Sequence, residues 1–174
     1  FNIKTKKFSL YHQYPIEYSI YSIIRDHNGV LWVGGASTEF GLTCFVNDSL
    51  VTTFYNNVDE PIYFSNVRCI LEEEDGVFLL GSTAEGLLRF DTHKKQLTKY
   101  SNEASVEKYR IPNNYISAIV RTQSGEIWGS TYGGGIFQLD ESKAIRRIMT
   151  VREGLLDNNI CTLVESSDQR LWMS

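Results

Sequence analysis

One segment recurs four times along this chain, and that recurrence limits the possible folds more than any other feature. Asn28-Gly29-Val30-Leu31-Trp32-Val33-Gly34 returns as Asp75-Gly76-Val77-Phe78-Leu79-Leu80-Gly81, then as Ser124-Gly125-Glu126-Ile127-Trp128-Gly129-Ser130, then as Asp168-Gln169-Arg170-Leu171-Trp172-Met173-Ser174. The steps between the equivalent residues Gly29, Gly76, Gly125 and Gln169 are 47, 49 and 44 residues. An apolar run precedes each copy, at 20–24, 67–71, 116–120 and 160–164. A glycine-led strand follows the first three copies, at 41–45, 86–90 and 135–139. A more polar fourth strand closes each unit, at 50–55, 96–100 and 144–150. We label the four strands of a unit a, b, c and d.

Four short antiparallel strands every 44–49 residues is the arithmetic of a propeller blade. Strands a and b are apolar on both faces, so each sheet needs a cover on each side. The sequence offers almost no helix to supply it; the one helical candidate is the short stretch 101–108. The covers are therefore other sheets, stacked face to face around an axis. Strand a carries a slim residue at one equivalent position (Ser22, Cys69, Ala118, Thr162), as expected where the innermost strands converge. The a–b turns hold Asn28-Gly29, Asp75-Gly76 and Ser124-Gly125, and such glycines supply the positive φ of a tight hairpin. Gln169 stands in place of the fourth glycine, which predicts a looser turn or one of another type.

The expected fold is thus all-β, a partial β-propeller of four-stranded antiparallel blades. Its units are residues 1–15, the end of a preceding blade (strands c and d), then blades at 16–62, 63–110 and 111–156, and the first half of a further blade at 157–174. Three blades with partial neighbours leave open edges and apolar faces. The expectation is that they belong to a larger ring, completed by other blades of the same propeller or by a second copy of the chain.

Composition excludes several functions. Hydrophobic residues are 42% and aromatics 13%, a globular balance. The net charge is −4 and no basic run tracks a phosphate backbone, so no nucleic-acid partner is expected of this segment. No 18-residue apolar stretch is present, so no membrane insertion is expected of it either. Cys44, Cys69 and Cys161 fit no metal spacing, lie in apolar runs, and read as buried inert thiols. No metal, cofactor or catalytic residue is expected.

The motif of apolar strand, Asp/Asn-Gly, aliphatic residue and Trp, a small glycine loop, and a strand ending in an aromatic or Leu before Asp resembles the two-component regulator propeller repeat. It stands here as Ile23 through Gly34 and as Ile127-Trp128 through Tyr132-Gly133-Gly134-Gly135-Ile136-Phe137. The lead-ins Gly154-Leu155-Leu156-Asp157-Asn158-Asn159-Ile160 and Ile111-Pro112-Asn113-Asn114-Tyr115-Ile116 fit the same repeat. Leu79 for Trp, Gln169 for Gly and the longer 36–40 loop depart from it. The resemblance implies a ring of about seven blades. It also implies a periplasmic sensor domain of an inner-membrane hybrid two-component receptor, which recognises an oligosaccharide and signals to a histidine kinase outside this segment.

In an antiparallel blade the d–a and b–c loops share one end. That end gathers Tyr63, Asn66, Asn114, Tyr115, Tyr132, Asn158 and Asn159, our candidate ligand-binding residues. Amides pair with sugar hydroxyls and flat rings stack on pyranose faces. The same Asn residues also suit turn formation. Trp32, Trp128 and Trp172 read as blade-packing core, not as ligand platforms. Two other functions fit a propeller: an enzyme of the streptogramin-lyase or gluconolactonase type, and a non-catalytic scaffold. The candidate rim has no His and few acids, which disfavours the enzyme.

Overall fold

A computed structural model describes residues 2–8, 19–36, 40–46, 49–55 and 66–174. Strands β1 (Ser19–Arg25), β2 (Leu31–Ala36), β3 (Phe40–Val46) and β4 (Ser49–Tyr55) pair in that order as blade I. β5 (Val67–Glu74), β6 (Val77–Ser82), β7 (Leu87–Asp91) and β8 (Gln96–Tyr100) form blade II. β9 (Ile116–Arg121), β10 (Ile127–Thr131), β11 (Gly135–Leu139) and β12 (Ile145–Met149) form blade III. β13 (Leu163–Glu165) and β14 (Leu171–Met173) pair as a hairpin, IV. Pairing is antiparallel throughout. Before blade I, Asn2 and Lys7 form an isolated antiparallel bridge closed by a tight turn.

The first strand of each sheet packs against the first strand of the next: β1 on β5, β5 on β9, β9 on β13. These strands are the inner ones, converging on the axis. β1, β5 and β9 each have a bulge or shift near the start, between Ile20 and Ser22, between Val67 and Cys69, and opposite Ser130/Thr131 at Ile116–Ala118. The extra residue is left unpaired and the strand bends, which re-aims that side chain.

Blade-to-blade packing repeats with the sequence. Trp32 is 6% exposed, and its ring centroid lies 4.4 Å from that of Phe78 in blade II. Leu79 occupies the equivalent position in blade II and packs with Ile116, Ile127 and Phe137 of blade III. Trp128 joins Ile160 and Leu163 at the next seam. Trp172 occupies the same position in hairpin IV and is 58% exposed, so the core role expected of it is not realised within this chain. Close approach of the sheets requires glycine at two places. A Cβ on Gly34 would sit 2.6 Å from Val67 Cγ1 of blade II, and one on Gly81 2.7 Å from Ile116 Cγ2 of blade III. At the third seam Ser130 takes this position and a polar relay replaces the apolar contact: Ser130 and Ser117 share a hydrogen bond of 2.8 Å, and Ser117 donates to the Ile160 carbonyl.

Three local expectations need correction. The turn at Gln169 is not of another type. Gln169 takes φ 61°, beside 83°, 68° and 87° for the three glycines, and its N–H donates to Ser166 O at 3.0 Å as Gly29 N–H does to Asp26 O. The hairpin dictates the left-handed backbone and glutamine bears the strain. Residues 101–108 are not a helix; a single 3-10 turn, Glu107–Tyr109, is present. The loop closes on itself through Ser101 N–H to Tyr109 O, because Tyr109 and Ile111 are drawn into the II/III core. The cysteines also differ from one another. Cys44 is buried, and burial pushes the Cys69 thiol up to about 12. Cys161 is exposed and stands just before β13.

Candidate functional site

The inner-strand bulge and the d–a loop together build one rim. In the lead-in to β9, Asn113 Oδ1 accepts the Tyr115 N–H at 2.8 Å. Before β13, Asp157 Oδ1 accepts the Asn159 N–H at 2.8 Å in the same way. These Asx turns fix the third residue of each lead-in, Tyr115 and Asn159, at the edge of the rim. The b–c loop of blade III meets them: Tyr132 N–H donates to Tyr115 O at 3.0 Å, and Tyr132 bridges to Asn159. The Tyr115 and Tyr132 rings lie 5.6 Å apart at 45°, and Tyr132 is 53% exposed.

Not every candidate is free to meet a ligand. Asn114 Oδ1 accepts the Asn102 N–H at 2.8 Å, and its carbonyl accepts from Gly86 N–H. Asn158 Oδ1 accepts the Val151 N–H at 2.9 Å, and its carbonyl accepts from Gly133 and Gly135. Both side chains brace loops. Asn66 takes φ 51°, a left-handed turn residue immediately before β5. Tyr63 lies outside the described residues. The structure therefore groups Tyr115, Tyr132 and Asn159 of the seven.

Two further residues complete the group. Arg68, at the bulge position of blade II, places its guanidinium carbon 5.7 Å from the ring centroid of Tyr21 and 5.6 Å from that of Tyr115. The rings come from the inner ends of blades I and III, so the cation lies between two aromatic faces, within the range of cation–π attraction. Tyr21, Arg68, Tyr115 and Tyr132 thus form a continuous row across three blades. Hydropathy patterning hides it, because Ile20-Tyr21-Ser22 and Val67-Arg68-Cys69 read as ordinary strand alternation. The available signal was a column: Tyr21, Arg68, Ser117 and Cys161 vary between a constant aliphatic column and a constant slim one.

The opposite rim carries the a–b and c–d turns, and its charges are tied across seams. His27 N–H donates to Glu72 Oε2 at 2.9 Å, and the ring Nδ1 lies 2.5 Å from Glu72 Oε1. That hydrogen bond, above all, holds the His27 pKa above its usual value. Glu73, with a side chain 1% exposed, pairs with Arg89 at 2.5 Å and with Lys143 of blade III at 2.8 Å. A cleft of about 400 Å³ opens between blade III and hairpin IV, lined by Trp128, Met149, Leu155, Leu171 and Met173. These belong to the blade-face cluster of that seam, so the cleft is inter-blade space.

Sheets packed face to face around converging inner strands, with a loop rim at one end, define a segment of a β-propeller. A sequence model described as "Two component regulator propeller" matches residues 15–37, the stretch that holds the first copy of the repeat. No curated protein matches the chain in sequence. In structure it is similar to the extracellular domains of two putative hybrid two component systems from B. thetaiotaomicron. The first has TM-score 0.70 and 22% identity over 90% of this chain and 22% of that one. The second has TM-score 0.53 and 19% identity over 91% and 26%. It is also similar to a catalytically inactive virginiamycin B lyase from Staphylococcus aureus, with TM-score 0.66 and 19% identity over 91% and 49%. At these identities the shared property is the fold. The chain spans about a quarter of the receptor domains it resembles.

Proposed function

We propose that this segment is part of the ligand-sensing propeller of an extracytoplasmic receptor, and that its loop rim binds an oligosaccharide. One observation carries the reading: Tyr115 and Tyr132 present paired rings at a single rim, where the Tyr132 backbone bridges to Asn159. Ring faces stack on the apolar face of a pyranose while amides pair with its hydroxyls, the usual division of labour in a concave polar site. The two-component repeat supports a receptor context. In that context the ring sits in the periplasm, anchored to the inner membrane by other parts of the protein, and passes its signal to a histidine kinase outside this segment. Other blades, or a second copy of the chain, complete the ring.

The resemblance to a lyase supports a second reading, an enzyme. His27 and His93 lie at the turn rim, away from the tyrosine row. An active site at the loop rim would have to draw its acid and base from elsewhere in the ring.

The test is calorimetry on the intact propeller that contains this segment, with a panel of neutral and acidic oligosaccharides. The sensor reading expects saturable binding without turnover, lost in Tyr132→Ala. Absence of binding across the panel overturns it. Turnover of a bound glycan, or a large rise in melting temperature on adding a divalent metal, favours the enzyme.

A further inference from the structure

We infer that the ligand of this rim carries a negative charge, as a uronate carboxylate or a sulfate ester on the sugar, and that Arg68 is the residue that reads it. The assignment rests on the sensor reading of the same rim.

Arg68 differs from the paired arginines in how its donors are used, and from Arg146, Arg147 and Arg152, which also lack a hydrogen-bonded side-chain partner among the described residues, in being half-buried where they are exposed. Arg89 holds Glu73 and Glu74, and Arg170 holds Asp168. Arg25, Arg110 and Arg121 donate to carbonyls at Gly29, Ala104 and Glu73. Arg68 has ring faces on both sides and, among the described residues, no carboxylate or carbonyl at hydrogen-bond distance. A guanidinium flanked by two rings and without a carboxylate or carbonyl partner keeps its in-plane edge available, with up to five N–H donors in a fixed fork. That edge matches a planar carboxylate or a sulfate, which accepts two parallel hydrogen bonds. The two rings also fix the side chain before the ligand arrives, so little rotamer entropy remains to be lost on binding.

The charge is local. The equivalent positions of the repeat hold Tyr21, Ser117 and Cys161, so blade II alone supplies a cation there. The chain as a whole is acidic, with 21 Asp and Glu against 17 Lys and Arg, yet this half-buried arginine faces tyrosines and not one of those acids among the described residues. Tyr132, next in the row beyond Tyr115, provides a ring face for the sugar that bears the anionic group.

The experiment titrates the intact propeller with four matched probes: oligogalacturonate, its methyl ester, a sulfated galactan oligosaccharide and its desulfated form. One acidic probe is expected to bind at least about tenfold more tightly than its neutral counterpart, and the preference should shrink as salt rises. Which acid wins distinguishes carboxylate from sulfate. Arg68→Gln should abolish the preference, and Arg68→Lys should retain only part of it. Equal binding of acid and neutral forms overturns the inference, as does an acid preference that survives in Arg68→Gln. If neutral sugars bind and Tyr132→Ala removes that binding, the sensor reading stands and the charge assignment falls. If no probe binds, both fall. The acid-against-ester comparison needs no variant, so it decides the matter even if Arg68→Gln does not fold.

Discussion

The two rims of this segment use polar residues in opposite ways. At the turn rim, charges are matched across blades: His27 on Glu72, Lys143 on Glu73, Arg121 on the Glu73 carbonyl. At the loop rim the loops are braced by Asn113, Asn114, Asp157 and Asn158, while Tyr21, Arg68 and Tyr132 leave faces or edges uncommitted. One rim holds the blades together and the other is presented outward. Separating the tasks lets a propeller vary its loops without loosening its seams.

The sharpest way to break this comparison is Glu73→Ala. It leaves Lys143 without its partner at the seam and Arg89 with Glu74 alone, and should cost about 3 kcal/mol in urea unfolding because a partly buried charge network loses its centre. A cost near zero would mean that the turn rim does not hold the blades. Ser117→Ala is next. It removes a buried hydroxyl linking Ser130 to the Ile160 carbonyl, and unfolding should register about 1–2 kcal/mol. Gln169→Gly should act in the other direction, raising stability by about 1 kcal/mol through relief of the left-handed backbone at φ 61°. Tyr132→Ala at the loop rim should leave stability within about 0.5 kcal/mol of the parent, as an exposed position does, while removing ligand binding. A large loss of stability there would erase the distinction between the rims.

The smallest effect is a pH dependence at the turn rim. The His27 pKa is raised in the folded chain, so its contribution is complete below about pH 6.5, the unfolded value, and fades as pH rises through the folded one. Melting curves across that window should show a slope that His27→Gln removes.

Much of this fold is visible in the sequence because a blade is a local object. The Gly-x-Leu/Ile-Trp core names strand b, the glycine after it names strand c, and the period does the rest. Trp32 and Trp128 go where their pattern sends them. Trp172 does not, because a pattern reports the face a residue occupies and not what covers that face. The site was legible in part. Tyr115, Tyr132 and Asn159 follow from loop position alone. Arg68 and Tyr21 depend on a bulge that inserts one residue into the inner strand, and side-chain alternation cannot show which way a bulged residue points. Asn114 and Asn158 carry the same residue type as a ligand contact would, but their oxygens are used by the backbone of a neighbouring loop.

The seams have one more consequence. At the position after the apolar core of the inner strand stand Arg25, Glu72, Arg121 and Glu165. Glu72 and Glu165 accept an N–H from the preceding blade, at His27 and Gln123, whereas Arg121 donates to that blade's carbonyls. Each junction therefore works as a keyed joint of alternating polarity. A transposition of blades II and III would set an acid where a carbonyl waits for a donor. The blades look like copies, but their order around the ring is written into their edges.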